Sequence, residues 1–416
     1  MMKRILRLAT RWLLLFLGLV ILFTGLMVAA YAIPDRWIAQ STNAALQTLR
    51  AEDKAGNRIK LGSRAIILDY GTEKRMYGYA LREADEGIFT RAMVPHYARY
   101  WHGYQAYLRP ALAVGSLRQI RWGNALLQAA LLLSLLALLA KRLGLRYAIC
   151  LALALALAGY AAVPLLFQYS GVFLILLPAA NLLLLLYDKP WFRRRIPQFF
   201  FCIGAFTVFV DLLTAPVVTL GVPLVLLLLL RAKEPEPPKG VLPVLGVSAA
   251  WGAGYTALWF AKWCIASLVL RRNEIRISIE QILFRTGASS EGYIRIDLGE
   301  DAQLQQWRAT GILSRFVAPL KALFSIGVPE LLLFFLLLAG LAIYARRKGR
   351  KCAKPLATQL KLAALLPLLW MFALGQHTTI HYWFTYRNLA VLVFALLCAC
   401  LPKKGELHDE TVPASG

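Results

Sequence analysis

Residues 122–142 read WGNALLQAALLLSLLALLAKR, and this stretch decides the fold class. It contains no Asp, Glu, Lys or Arg before Lys141, and it has the length of about 20 residues that a helix needs to cross a bilayer core. A transmembrane β-strand would instead alternate apolar and polar residues. The stretch therefore predicts a transmembrane helix that ends at a basic cluster.

Similar apolar runs recur along the whole chain. The 416 residues are 59% hydrophobic, above the roughly 45–50% that is usual for soluble domains. Helices are the expected spanning form, because backbone polar groups in lipid must be satisfied internally. We predict an all-α polytopic membrane protein with about ten transmembrane helices. Their predicted positions are residues 12–33, 122–140, 147–167, 171–187, two helices within 199–230, 241–270, 329–344, 362–374 and 384–401.

The stretch 199–230 is too long for one ordinary span and short for two. Pro216 has no N–H to donate and disfavours helix at Ala215. We therefore split the stretch into two helices, with one long kinked helix as the alternative. A single span would also place the flanking basic segments on opposite sides of the membrane.

The formal charge of +25 is distributed in short clusters beside the apolar runs. The clusters are Lys3, Arg4, Arg7 and Arg11; Lys141, Arg142 and Arg146; Lys189 and Arg193, Arg194 and Arg195; and Arg346, Arg347, Lys348, Arg350 and Lys351. This is the positive-inside pattern of cytoplasmic loops. It predicts cytoplasmic N- and C-termini and argues against nucleic-acid binding.

These patterns divide the chain into six segments. They are a first transmembrane helix (1–33), an extracytoplasmic loop with juxtamembrane helices (34–121), transmembrane helices two to seven (122–270), a second extracytoplasmic loop (271–327), transmembrane helices eight to ten (328–401) and a cytoplasmic tail (402–416). None of the six cysteines lies in either long loop, so no disulfide framework is expected there. No CxxC or Cys/His cluster indicates a zinc site.

The first extracytoplasmic loop carries two acids at close spacing, Asp69 and Glu73, in the sequence IILDYGTEKRMYGYA. A positioned carboxylate can take the proton of a sugar hydroxyl. Alternatively, Asp69 caps a helix that begins near Thr72, with Glu73 in its first turn. Both interpretations stay open.

Aromatic residues follow in the sequence PHYARYWHGYQAYLRP, residues 95–110. Tyr97, Trp101 and Tyr104 recur at helical spacing, which is typical of a helix in the headgroup plane. The same surface would suit a lipid-phosphate substrate. The candidate contacts are Arg99, His102, Tyr104 and Arg109.

Ionisable groups within predicted spans are costly and mark functional candidates. Asp211 lies at the predicted turn between spans five and six, and Lys262 lies inside span seven. The two side chains pair with each other in one interpretation, and they bind the acceptor and a phosphate in the other.

A third group of polar and aromatic side chains lies near the outer end of the last span. It contains His377, His381, Tyr382, Trp383, Tyr386 and Arg387. Guanidinium binds phosphate bidentately, so Arg387 and His381 are candidates for phosphate binding. An aromatic belt with a snorkelling arginine is the alternative.

This arrangement resembles the GT-C superfamily of membrane glycosyltransferases. Asp69 and Glu73 are similar to the acid of that family's large first exterior loop. Residues 104–110, followed by Arg118, Arg121 and Asn124, are similar to its juxtamembrane helix and its entry into span two.

The resemblance implies transfer of a sugar from a polyprenyl-phosphate-linked donor to a glycan or lipid acceptor at the outer membrane face. Asp69 would be the general base, with Glu73 orienting it or replacing it. Arg387, with Arg99 or Arg109, would neutralise the departing phosphate, and membrane lipid would surround the site. The implied location is the cytoplasmic membrane of a bacterium. No cofactor is fixed by the resemblance, and a divalent metal stays open.

Two other functions compete with this one. A transporter or flippase for a lipid-linked glycan would use Asp211 and Lys262. A polysaccharide polymerase or ligase would use the second exterior loop, whose arginines suit a pyrophosphate. Those arginines are Arg271, Arg272, Arg276 and Arg285.

Overall fold

The computed structural model describes residues 2–61, 64–81, 86–288, 291–294, 305–308, 313–324 and 353–401, with isolated helical positions between 336 and 343. The predicted eighth span, residues 329–344, lies outside the described residues apart from those positions. The predicted cytoplasmic tail, residues 402–416, lies outside them entirely.

The described chain is overwhelmingly helical, at about 81%. In chain order the helices are α1 (Met2–Ala32), α2 (Asp35–Ala55), α3 (Tyr70–Gly78), α4 (Ile88–Met93), α5 (Gln105–Val114), α6 (Leu117–Leu143), α7 (Leu145–Leu157), α8 (Phe167–Leu186), α9 (Pro190–Arg193), α10 (Ile196–Val210), α11 (Val217–Arg231), α12 (Leu242–Leu270), α13 (Glu274–Thr286), α14 (Ser314–Phe324), α15 (Lys354–Ala373), α16 (Gly375–Ile380), α17 (Tyr382–Thr385) and α18 (Ala390–Cys400). Two 3₁₀ helices, Tyr160–Leu165 and Tyr386–Leu389, follow α7 and α17.

Among the described residues, six segments are long and apolar enough to cross a membrane by length and composition: Ala9–Ala32, Leu117–Leu143, Phe167–Leu186, Leu242–Leu270, Lys354–Ala373 and Tyr382–Cys400. The chain is thus an all-α protein with the helices of an integral membrane protein. Three further apolar helices, α7, α10 and α11, have 13 to 15 residues. At about 1.5 Å per residue they are about 20 Å long, shorter than the ~30 Å hydrocarbon core. Ten complete crossings therefore stay a prediction.

The stretch 199–230 forms two helices rather than one kinked helix. Helix α10 ends at Val210, and α11 begins at Val217. Asp211 turns the chain between them, because its Oδ1 accepts a hydrogen bond of 2.8 Å from the backbone N–H of Thr214. The two helices are therefore separate elements joined by this turn.

Several helices begin or end at a cavity of about 620 Å³. It is lined by the α6–α7 junction, the linker after α11, the start of α15 and the end of α18. The Tyr187 hydroxyl donates to Glu234 at 2.6 Å near the same end. The positive-inside pattern predicts that the basic segments here lie on one side of the membrane. The structure agrees in that these segments lie at the same end of the bundle.

Helices α10 and α12 pack backbone to backbone. A Cβ on Gly204 would overlap the carbonyl oxygen of Trp251, and a Cβ on Gly254 would overlap that of Phe201. Small residues allow this approach, which is a common way for membrane helices to associate through van der Waals contact.

The first segment that was predicted to be exterior has more structure than a loop. Helix α2 buries Ile38, Ala45 and Leu49 on one face, and a short hairpin follows it. In that hairpin β1 (Arg58–Leu61) pairs antiparallel with β2 (Arg64–Ile67), with Arg58 opposite Ile67. A second antiparallel pair is formed by β3 (Glu291–Ile294) and β4 (Gln305–Arg308). The described residues are therefore mostly helical, as predicted, but they also contain these two small sheets, which the all-α prediction did not include.

The prediction of one interfacial helix over residues 95–110 is wrong in its first half. Helix α5 begins only at Gln105, and the preceding residues form turns, with His102 at a positive φ of 54°. The Trp101 indole donates to the Leu258 carbonyl at 2.8 Å. Tertiary contacts with α12 therefore override the helical spacing of the aromatic residues.

Helix α6 begins inside the segment that was assigned to the loop. Ser116 and Gln119 form a capping box at its first turn, which satisfies otherwise unpaired N–H groups. The second spanning helix thus starts at Leu117 rather than at residue 122.

Candidate functional site

A cavity of about 400 Å³ opens at the end of the bundle that the charge pattern predicts to be exterior. Its walls come from α3, the first turn of α8, the α10–α11 turn, α13, and α16 with α17. The polar side chains that line it include Asp69, Arg75, Arg99, Arg285, His377 and His381. Segments that are far apart in sequence therefore form one cavity, which one acidic and several basic side chains line.

Asp69 is both a helix cap and a cavity residue. Its Oδ1 accepts from the Thr72 N–H at 3.0 Å, and its Oδ2 accepts from the Thr72 hydroxyl at 3.0 Å and from Gln168 Nε2 at 3.2 Å. These bonds begin α3 and fix the carboxylate at the cavity wall. The two interpretations of Asp69 are thus compatible.

Tyr169 holds the backbone beneath this carboxylate. Its hydroxyl accepts a hydrogen bond of 3.1 Å from the Asp69 N–H and donates one of 2.9 Å to the Ile67 carbonyl. Tyr169 is fully buried in the first turn of α8. A spanning helix therefore positions the residue that faces the cavity.

The cavity is cationic. Asp69 is the only carboxylate among its described lining residues, whereas Arg75, Arg99 and Arg285 contribute three guanidinium groups. The Arg99 guanidinium stacks 4.6 Å from the centre of the Tyr97 ring. Such a set attracts anions, and a guanidinium matches the geometry of phosphate oxygens.

Two neutral histidines complete the wall. His377 Nε2 lies 3.0 Å from the Leu213 carbonyl and must donate to it, so Nδ1 accepts from Arg285 Nη1 at 2.7 Å. Burial, followed by the charge of Arg285, lowers the pKa of His381 to about 4. His381 is therefore a neutral hydrogen-bonding group near pH 7.

Arg387 lies behind Tyr169 rather than at the cavity surface. It is fully buried, and its guanidinium carbon is 3.8 Å from the centre of the Tyr169 ring. Nη1 donates to the Trp383 carbonyl at 3.3 Å, while Nε and Nη2 have no partner in the part of the chain that the structure describes. Tyr169 thus lies between Asp69 and Arg387, so Arg387 can influence Asp69 by its contact with Tyr169.

Glu73 does not face the cavity. It is fully buried and accepts hydrogen bonds from the backbone N–H groups of Phe167 at 2.9 Å and Gln168 at 3.1 Å. Burial is the largest effect on it and raises its pKa to about 7. The Glu73 carboxylate caps α8 and does not line the cavity, so it cannot replace Asp69 as a base there.

Arg109 uses four of its five N–H groups in hydrogen bonds within the protein. Its Nε donates to the Ala30 carbonyl at 2.9 Å, and Nη2 donates to the Ile33 carbonyl at 2.6 Å and to Asp35 at 2.8 Å. Nη1 donates to the Ala80 carbonyl. Arg109 joins the end of α1 to the segment that follows it, and because it is fully buried and does not line the cavity, it does not face a substrate phosphate there.

His102 and Tyr104 are also buried away from the cavity. His102 Nε2 donates to the Tyr97 carbonyl at 3.1 Å, so Nδ1 accepts from the Tyr104 hydroxyl at 3.0 Å. Burial lowers the pKa of His102 to about 3. These two residues fix the irregular chain before α5.

Asp211 and Lys262 do not pair with each other. Lys262 is buried, donates to the Met93 carbonyl and lies 5.8 Å from the centre of the Trp101 ring. Asp211 caps the turn at Thr214, and its Oδ2 has no partner among the described residues. Neither side chain lines the Asp69 cavity.

Sequence reasoning missed several residues of this site. Gln168 and Tyr169 lie between the predicted spans 147–167 and 171–187, and nothing in their local sequence indicates a role at a site. Arg75 is not among the residues that the sequence predicts for the site, and His377 is named only as part of the group near the last span. Arg285 was assigned to a competing function, although α13 brings it to Asp69's cavity.

No group of three His, Cys, Asp or Glu gathers as a metal site among the residues that were placed. Comparisons with protein-family models, with curated proteins and with solved structures found no match. The site must therefore be interpreted from its own geometry.

Proposed function

We propose that this protein is a membrane glycosyltransferase that moves a sugar from a polyprenyl-phosphate-linked donor to a glycan or lipid acceptor. The observation that supports this most is that Asp69 is the one carboxylate among the described lining residues of a cavity with three arginines. A general base for the acceptor and a binding site for a leaving phosphate are the two groups that such a transfer needs. A GT-C-like arrangement of the spans is part of the proposal.

The groups have defined roles in the transfer. The acceptor hydroxyl oxygen bonds to the anomeric carbon, and its proton passes to the Asp69 carboxylate. The bond between that carbon and the phosphate oxygen breaks, and its electron pair leaves with the phosphate. Arg99 and Arg285 stabilise the added negative charge, since both guanidinium groups line the same cavity as Asp69.

A lipid-linked donor suits the position of the cavity. Its wall includes Ile380, Trp383 and Phe384 near the start of the last apolar segment. An activated sugar on a lipid carrier needs no nucleotide pocket. On the proposed topology, which has both termini in the cytoplasm of a bacterium, the reaction takes place at the outer face.

Asp69→Asn tests the proposal. Asn caps a helix as well as Asp does, so the variant removes the base and keeps the start of α3. We expect transfer from polyprenyl-phosphate-linked sugars in membrane preparations to fall by at least 100-fold. Asp53→Asn is the matched control, because Asp53 pairs with Lys74 at 2.8 Å in the same exterior segment and does not line the cavity. Equal rates for Asp69→Asn and the control would refute the assignment.

A polysaccharide polymerase or ligase is the second candidate. Arg285 favours it, because the second exterior segment supplies this arginine to the same cavity. Such an enzyme would use a diphosphate carrier, so monophosphate-linked and diphosphate-linked donors should be compared at equal concentration. Turnover of only the diphosphate-linked donor would replace the first proposal with the second.

A further inference from the structure

A second concavity lies beside the first exterior helix. It has a volume of about 1,020 Å³ and is formed by one face of α2, the α5–α6 junction and Leu165. It shares no lining residue with the cavity that contains Asp69. We call it the α2 groove.

The α2 groove lies where spanning helices begin and end. Helix α1 ends at Ala32, and α6 begins at Leu117. Trp37 and Trp122 line the groove and are 61% and 60% exposed. Exposed tryptophans at the ends of spanning helices are typical of the boundary between headgroups and acyl chains.

The polar part of the groove is cationic. Arg36, Arg118 and Arg121 line it together with one acid, Glu52. Glu52 is engaged by Arg121 through two hydrogen bonds of 2.6 and 2.8 Å. Arg36 and Arg118 are exposed and form no ion pair with any residue that the structure describes. Two unpaired guanidinium groups therefore face the groove.

The apolar part continues onto the surface of a spanning helix. Trp122 and Ala125 line the groove, and Leu126 on the next turn position of α6 is 65% exposed. An occupant with an anionic head and apolar chains would meet both parts at once.

We propose that the α2 groove binds an anionic phospholipid of the leaflet in which α1 ends. The phosphate would lie between Arg36 and Arg118, and the acyl chains would follow Trp122 and Leu126 down α6. A basic pocket between membrane helices has the chemistry that anionic lipid headgroups require. A site for the sugar donor is not favoured, because no group of the Asp69 cavity reaches this groove.

The test uses the full-length protein in detergent and measures lipid binding by native mass spectrometry. Phosphatidylglycerol, phosphatidylcholine, a polyprenyl phosphate and inorganic phosphate are titrated separately. The Arg36→Gln/Arg118→Gln variant should bind phosphatidylglycerol roughly 30-fold more weakly than the wild type does. This is the loss in affinity expected when two basic residues that contact an anionic headgroup are removed. Phosphatidylcholine should bind more weakly than phosphatidylglycerol and should not distinguish the two proteins.

The matched control is Arg50→Gln/Arg58→Gln. Both arginines are exposed in the same exterior segment and lie outside the groove, so this variant removes equal charge and should bind phosphatidylglycerol as the wild type does. Equal losses in both double variants would overturn the proposal in favour of a diffuse charge effect. Inorganic phosphate or polyprenyl phosphate that binds more tightly than phosphatidylglycerol, and depends on Arg36 and Arg118, would overturn the choice of occupant.

Discussion

The hydroxyl of Tyr169 is the contact by which a spanning helix fixes the base. Tyr169→Phe removes the hydrogen bond from the Asp69 N–H and the one to the Ile67 carbonyl, while it keeps the ring that Arg387 covers. A small displacement of a catalytic group lowers the rate more than it lowers affinity. On the proposed function we expect kcat for sugar transfer to fall roughly 10- to 100-fold, with KM changed less than threefold.

The control for Tyr169 is Tyr160→Phe. The Tyr160 hydroxyl donates to Gln128 at 3.2 Å, away from the Asp69 cavity, and its loss should leave kcat unchanged. A Tyr169→Phe enzyme with normal kcat, or with a loss confined to KM, would contradict the positioning role.

Glu73 gives a prediction about pH, because its carboxyl is buried and its pKa is raised from 4.5 to about 7. Between these two values the folded protein holds a proton that the unfolded chain releases. The free energy of unfolding should therefore decrease as pH rises from about 4.5 to 7, by an amount on the order of 3 kcal/mol, and should then level off.

Glu73→Gln removes this titration. Thermal unfolding in detergent between pH 5 and 8 should show a smaller decrease in stability for Glu73→Gln than for the wild type, although the variant is less stable throughout because one backbone N–H of α8 loses its acceptor. Asp53→Asn should keep the wild-type pH dependence. Parallel curves for the wild type and Glu73→Gln would show that Glu73 does not titrate in this range.

At the scale of elements, the α10–α12 contact depends on two glycines. Gly204→Ala places a methyl group against the Trp251 carbonyl oxygen, so the two helices must separate and lose van der Waals contact along their length. We expect the midpoint of thermal unfolding in detergent to fall by several degrees, for a loss of about 1–3 kcal/mol.

Helix α12 supplies a matched control for this contact. A Cβ on Gly252 would meet nothing within 4 Å, so Gly252→Ala should be neutral or slightly stabilising, because alanine favours helix more than glycine does. If both variants shift the midpoint equally, the close approach of α10 and α12 is not what limits stability.

The positions of the helices could be predicted from sequence, whereas most of the contacts between them could not. The apolar runs predicted the positions of the described spanning helices, because burial in lipid leaves a local composition signal, and Pro216 predicted the break between α10 and α11. Asp69 could be predicted as a candidate because an acid before a helix start is visible in the local sequence, whether it caps the helix or acts as a base. Tyr169 and Arg285 could not be assigned to the site from sequence, since their roles depend on contacts across about 100 residues or more. The helical spacing of Tyr97 and Trp101 misled for the opposite reason: contacts with α12 decide that backbone.

At the scale of the whole molecule, the structure establishes which segments share an end, and the charge pattern predicts which end faces the cytoplasm. Single cysteines in a background that lacks the six native ones can test both statements. Ala51 and Ala288 are exposed at the end that carries the Asp69 cavity, whereas Lys239 and Ala353 are exposed at the opposite end. A membrane-impermeant thiol reagent should label cysteines at the first pair in intact cells and at the second pair only after permeabilisation.

The pattern of failure would be informative in either direction. Labelling of Ala51→Cys together with Lys239→Cys in intact cells would mean that one of the short helices α7, α10 or α11 does not cross, and that two ends of the bundle have been assigned wrongly. Labelling of Lys239→Cys and Ala353→Cys alone would mean that the whole bundle is inverted. The cavity would keep its carboxylate and its arginines in that case, but it would open to a compartment in which nucleotide-linked sugars are available. A polyprenyl-linked donor is expected only at the outer face, so an inverted bundle would exclude this donor and leave the geometry of the site intact.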